Sequence, residues 1–328
     1  MELSTVWFAV VAFFWVGYLV LDGFDFGVGA LLPVVGRRGE HDRAAMLQTI
    51  GPVWDGNEVW LVVAVGATFA AFPAWYATML SAFYLPMLAI LVALIGRGVA
   101  LEFRGKRDDP RWRRRCDAVV CLGSLLPAAL WGAVFGTLVH GLPLDRDGTY
   151  AGSVVAVDGL GGVLGAAAVL GLCVLHGATF LALRTTGGLR ERALRVARYA
   201  APAVVLVVAG FLGQVQYARG DAGSAGVAGL AVVALLVASV AAWRRADGWA
   251  FAGTAVGVAA AVATVFVALF PDAVPATSTA AWSLTLADSV AQPYALRILT
   301  VIAVICTPLV LAYQAWSYWV FRRRVLAP

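Results

Sequence analysis

Gly51-Pro-Val-Trp-Asp-Gly-Asn-Glu-Val-Trp60 runs without a break into Leu61-Val-Val-Ala-Val-Gly-Ala-Thr-Phe-Ala-Ala-Phe72, and this stretch decides how the chain folds. Its first ten residues crowd Trp54, Asp55, Asn57, Glu58 and Trp60 against a segment apolar enough to complete a membrane crossing. Pro52 suits a first helical turn, where its missing N–H has no partner to lose. Asp55 and Glu58 are three residues apart, so a helix sets both on one face. Ionisable side chains within a membrane segment are costly and therefore rare, and each marks a candidate functional site.

The surrounding composition agrees with a membrane setting. Of 328 residues, 62% are hydrophobic and 13% charged, against roughly 25% charged in a soluble domain. An all-α polytopic membrane protein follows. A crossing needs about 20 apolar residues, which predicts nine transmembrane helices at about 5–32, 51–72, 76–96, 116–140, 154–183, 199–218, 223–243, 249–270 and 291–321. The helix of the third crossing is expected to continue to Arg104. Most of the 24 Lys and Arg fall in loops that follow odd-numbered crossings and in the C-terminal tail, densest at 104–115 and 184–198. The opposite side has only Arg146, Arg219 and Arg297. The positive-inside rule then sets the N-terminus outside and the C-terminus in the cytoplasm, in a multi-pass protein of the cell membrane. The first apolar run lacks a basic leader and ends in Asp22 and Asp25, which suits a retained helix.

Trp7, Trp75, Tyr76, Trp112, Trp243, Trp249, Trp316, Tyr318 and Trp319 lie where interfacial aromatic belts are expected. Gly23xxxGly27 and Gly161xxxGly165 offer close-packing faces. The basic loops read as topogenic segments that meet anionic lipid, not as nucleic-acid sites. Gly159–Gly165 follows no strand, so it is no nucleotide-binding loop.

Helical rise places the polar residues in depth. Counted from Trp7, Asp22 lies about 22 Å and Asp25 about 27 Å into the membrane; counted from Phe72, Asp55 lies about 25 Å and Glu58 about 21 Å deep. Arg97 comes about 31 Å from Tyr76, and Glu102 about 39 Å, just past the inner boundary. Groups distant in sequence thus reach one level. Descending acids of this kind suit proton uptake, since a carboxyl in a low-dielectric site holds its proton nearer neutral pH. The competing reading makes Asp22, Asp25 or Asp55 partners of Arg97 or Arg104, or caps of broken backbone. A proton-coupled secondary transporter would use the same acids.

Other chemistry finds little support. Cys116, Cys121, Cys173 and Cys306 form no CxxC pair and read as packing residues, so no metal site is expected. A haem needs facing axial ligands. His41, His140 and His176 are scattered, and His176 reads as a helix–helix hydrogen-bonder.

Five stretches then carry a family resemblance. They are Leu21-Asp-Gly-Phe-Asp-Phe-Gly-Val-Gly29, the 51–60 stretch, Phe69-Ala-Ala-Phe-Pro-Ala-Trp-Tyr76, Arg97-Gly-Val-Ala-Leu-Glu-Phe-Arg104, and Ser283-Leu-Thr with Pro308-Leu-Val-Leu-Ala-Tyr-Gln-Ala-Trp-Ser-Tyr318. Together they resemble subunit II of the cytochrome bd-type quinol oxidases from the first helix to the last. The resemblance implies two four-helix bundles plus one peripheral helix, paired with a similarly folded subunit I. It implies that the complex oxidises quinol and reduces oxygen to water with cytoplasmic protons, electrogenically but without pumping. Two haem b and one haem d would be ligated by subunit I. A small third subunit and a structural quinone in subunit II are further family features. Asp55 takes the place of the family's proton-path aspartate, and Glu102 that of an acid which is Asp in some relatives. Glu58 is Gln in some relatives, which weakens it as a carrier. Asp25 and Asp22 are added as contributors, Arg97 as their electrostatic partner, and Trp54, Asn57 and Trp60 as support of the motif.

Overall fold

The computed structural model describes residues 2–153, 157 and 159–326. The chain runs α1 (Leu3–Val35), α2 (Glu40–Ile50), α3 (Trp54–Ala71), α4 (Pro73–Ala82), α5 (Tyr84–Phe103), α6 (Pro110–His140) and α7 (Gly159–Arg184). It continues through α8 (Gly187–Arg219), α9 (Ala222–Trp243), α10 (Asp247–Leu269), β1 (Asp272–Val274), β2 (Leu284–Thr285), α11 (Leu286–Ser289) and α12 (Pro293–Val320). Local chemistry sets several of these boundaries. Pro73, Pro110 and Pro293 open α4, α6 and α12, where a fixed φ favours the first turn. Asp109 accepts from the Arg111 amide at 2.9 Å to cap α6. Asp221 and Ser224 form a reciprocal capping box on α9, with bonds of 2.7 and 2.9 Å.

Among the described residues, eight helices are long and apolar enough to cross a membrane: α1, α5 with the turn after it, α6, α7, α8, α9, α10 and α12. The second predicted crossing, α3, falls outside that set because its 18 residues begin with Trp54, Asp55, Asn57 and Glu58. The third predicted crossing is divided at Phe83 between α4 and α5. In the fifth, the helix begins at Gly159, while 154–156 and 158 lie outside the described residues.

Two elements depart from the expectation. Helix α2 lies between the first two predicted crossings, where only a connecting loop is expected: it is short and of mixed polarity, so neither length nor periodicity announces it. It is held in place by ion pairs. Arg192 of α8 binds Asp42 and donates to the Val35 carbonyl at 2.8 Å. Arg104 binds Asp117 at 2.6 Å and Glu40 at 2.9 Å, and Arg43 binds Asp117 at 2.8 Å. At the other end, β1 and β2 pair antiparallel with Asp272 opposite Thr285 and Val274 opposite Leu284. This small sheet qualifies the all-α reading; strands of three and two residues are too short to show alternation.

Helix α1 is the centre of the fold and packs against α3, α6, α7 and α10. Glycines allow the closest approaches. Gly27 lies backbone to backbone against Gly177, and Gly161 and Gly165 lie against Gly136 and Gly132. Without a hydrophobic drive between helices in lipid, such contacts supply the packing attraction. Helix α12 stands apart: Leu296 is its one buried residue. Two bonds tie its N-terminal end, from Trp7 Nε1 to Thr300 Oγ1 at 3.0 Å and from the Ala291 amide, just before the helix, to the Ala71 carbonyl at 2.8 Å.

Candidate functional site

The polar residues of α1, α3, α5 and α12 meet inside the bundle. Asp22 and Asp25 are a helical turn apart on α1, and both are fully buried. Arg97 of α5, also fully buried, donates from Nη1 and Nη2 to the same Asp22 oxygen, each at 2.9 Å. Its guanidinium lies 4.6 Å from the centroid of the Phe26 ring, a geometry that favours a desolvated cation. The second Asp22 oxygen and Arg97 Nε are buried with no hydrogen-bond partner among the described residues.

Asn57 is the junction of the site. Its amide nitrogen donates to Asp25 Oδ2 at 2.7 Å and to the Leu21 carbonyl at 3.2 Å. Its oxygen accepts from Gln314 Nε2 at 2.9 Å and from the Tyr318 hydroxyl at 2.8 Å. Both donors and both acceptor positions of the amide are therefore in use. Asp25 Oδ1 has no partner among the described residues. Neither does the buried Glu58 Oε2, and Glu58 as a whole is half-buried. Asp22, Arg97 and Asp55 all lie within electrostatic reach of Glu58.

The other expected residues occupy the edge of this cluster. Asp55 is exposed and lines a groove of about 530 Å³ between Gly56, Val59 and Val63 of α3 and Cys306, Val310 and Gln314 of α12. Glu102 is exposed near the end of α5. Trp54 packs its ring on Gly98, so it braces α3 against α5. Trp60 is buried on Gly17, with Phe13 and Phe14 edge-on to it at 5.8 and 6.1 Å.

The sequence shows Gln314 only as part of the 308–318 stretch, with no role at the site, and sets Tyr318 in an aromatic belt. Their signal was present: they are four apart and share one face of α12. Sequence alone ranks Asn57 below the acids, although Asn57 makes the most connections. Asp117, paired with Arg104, is also absent from the sequence reading, although it stands at the start of the fourth predicted crossing, directly after the basic run.

The three histidines have different surroundings. His176 Nδ1 meets Thr254 Oγ1 at 2.7 Å, and Nε2 meets the Val20 carbonyl at 3.1 Å, so both ring nitrogens are engaged within the bundle. Since a carbonyl only accepts, Nε2 carries the proton and Nδ1 accepts from Thr254. His140 Nδ1 contacts the Gly136 carbonyl at 2.9 Å, and His41 is exposed on α2. Among the described residues, no group of three or more His, Cys, Asp or Glu is placed to hold a metal ion.

Comparison with known proteins places the chain in a family. The chain is 40% identical to a cytochrome bd ubiquinol oxidase subunit 2 of Bacillus subtilis (strain 168), over 99% of this chain and 97% of the relative. It is 32% identical to the cytochrome bd-I ubiquinol oxidase subunit 2 of Escherichia coli (strain K12), over 97% and 93%. The structure of bd oxidase from Geobacillus thermodenitrificans contains a chain of similar fold, with TM-score 0.73 at 19% identity, covering 98% of this chain and 97% of that one. These comparisons give no support to a secondary transporter. With residues 3–321 matching the family throughout, the chain belongs to the cytochrome bd terminal oxidase subunit II family.

Proposed function

We propose that this chain is the non-haem subunit of a membrane quinol oxidase and conducts protons from the arginine-rich end of the bundle towards a haem-bearing subunit I. Family membership and the names of the relatives support the quinol-oxidising, oxygen-reducing assignment. The haems, two b-type and one d-type by family resemblance, belong to the partner; the buried His176 here has both ring nitrogens engaged within the bundle.

The observation that carries the proton route is the pair of fully buried aspartates joined to α3, α5 and α12 by polar contacts. Exposed Glu102 and Asp55 collect protons. Glu58 and Asp25, each with an unpartnered oxygen, stand where a proton or a water would pass inward. Arg97 and Asp22 form a fixed ion pair that supplies counter-charge, and Asn57 orients Asp25. We read α3 as a ninth crossing, with the N-terminus outside and the C-terminus in the cytoplasm. Two four-helix bundles plus peripheral α12, a small third subunit and a structural quinone complete the proposed assembly.

The test is Asp55→Asn in the assembled complex, measuring oxygen consumption with excess quinol against pH. Turnover is expected to fall while haem content is unchanged. Wild-type turnover and pH dependence in that variant would leave the chain a scaffold.

A further inference from the structure

A second cavity lies at the same end of the bundle as the basic loops, beneath the C-terminal tail. It has a volume of about 310 Å³. Arg184 of α7 and Arg322 and Arg324 of the tail line it, over an aromatic wall that includes Phe180, Phe251 and Tyr318. Among the described residues, no acidic side chain lines it. Arg324 is neutralised by Asp247 at 2.9 Å. Arg184 and Arg322 meet no carboxylate among the described residues; their side chains donate to the backbone carbonyls of Phe321 and Trp319. Arg184 Nε is buried without a hydrogen-bond partner. The tail is pinned above the cavity by the Val325 amide, which donates to the Arg184 carbonyl at 2.7 Å.

We propose that this cavity is a binding site for one anionic phospholipid, whose phosphodiester sits between Arg184 and Arg322 and whose acyl chain lies along the aromatic wall. Two uncompensated guanidiniums make a site for a phosphate oxygen pair. Free phosphate would satisfy those cations and leave the apolar wall unused, whereas a lipid matches both halves. A basic pocket between helices at the membrane surface is suited to such a headgroup. The lipid joins α7 to the end of α12, a helix with little packing of its own. It also reaches the polar cluster, because Tyr318 lines the cavity and its hydroxyl donates to Asn57.

The experiment uses the purified complex in phosphatidylcholine nanodiscs, titrated with phosphatidylglycerol and read by native mass spectrometry. One phosphatidylglycerol is expected to stay bound through mild activation. Arg184→Gln and Arg322→Gln are each expected to weaken its binding about fivefold. Arg323→Gln, on the same tail but outside the cavity, is expected to leave binding unchanged, and excess inorganic phosphate is expected not to displace the lipid. Arg322→Gln serves if Arg184→Gln prevents folding. Equal weakening by Arg323→Gln would reduce the effect to diffuse surface charge and overturn the site. Complete displacement by phosphate, or no retained phosphatidylglycerol, would overturn it as well.

Discussion

Asn57 donates to Asp25 Oδ2 at 2.7 Å and receives both of its own acceptor bonds from α12, so one neutral amide joins a buried carboxyl to the peripheral helix. Replacing it with leucine removes four hydrogen bonds. At about 0.6 kcal/mol for each bond between helices in a membrane, the loss is about 2 kcal/mol before the buried, unpartnered carboxyl of Asp25 is counted. Asn57→Leu is expected to lower the thermal midpoint of the purified complex and to make the α12 end more open to protease. Unchanged values for both would show that α12 is held by something else.

The Arg97–Asp22 pair invites a double-mutant cycle. Removing one member leaves an uncompensated buried charge, which costs about 3–5 kcal/mol. Arg97→Gln and Asp22→Asn alone are each expected to reduce the amount of assembled complex sharply, and the double variant to recover part of it. Arg97→Lys should not rescue: lysine lacks the planar fork that meets Asp22 and the flat cation over Phe26. Additive losses in the double variant would mean that the two side chains are not coupled.

Burial separates the acids, and the proposed route predicts different effects for them. Water can take the place of an exposed carboxyl, so Glu102→Gln is expected to slow turnover only a few-fold. Asp25 is fully buried and has no such substitute; Asp25→Asn is expected to cut turnover to below about a tenth, as loss of a positioned proton donor does. Stopped-flow proton uptake at constant haem content gives the comparison. The reverse order would move the narrow part of the route to Glu102.

Close helix contacts give a prediction with an internal control. A side chain at Gly177 would strike the Gly27 backbone, whereas one at Gly66 meets nothing within 4 Å. Gly177→Val is expected to abolish accumulation of the chain in membranes, and Gly66→Ala to leave it unchanged. Immunoblots of membrane fractions decide this.

Reporter fusions test the topology. An odd number of crossings puts the termini on opposite sides, and α3 is the helix that makes the number odd. A fluorescent protein fused at the C-terminus is expected to fluoresce in the cytoplasm, while an N-terminal epitope is labelled from outside. Both termini on one side would remove α3 from the crossings.

The legible part of this fold was the part governed by length and spacing. Long apolar runs announced α1, α5, α6 and the helices that follow, and helical rise alone brought Asp22, Asp25 and the start of α3 to similar depths. Direction around a helix was not legible. Asp55 and Asn57 are two residues apart and face different surroundings, one the α12 groove and the other Asp25, because the placement of α1 and α12 decides which face is inside. Gln314 and Tyr318 acquire their roles only through a neighbour over 250 residues earlier, as no local pattern can reveal. Helix α2 was hidden for another reason: its amphipathic signal is weak, and arginines from distant segments hold it in place.

Both donors to the Asn57 oxygen come from α12, and Gln314 follows Asn57 by 257 residues. During synthesis the amide therefore waits, half satisfied, until that helix has emerged and docked. A chain interrupted before α12 retains an unanswered polar group in the interior, whereas a finished chain closes it. The residue that donates to Asp25 is thus completed only by the last helix of the chain.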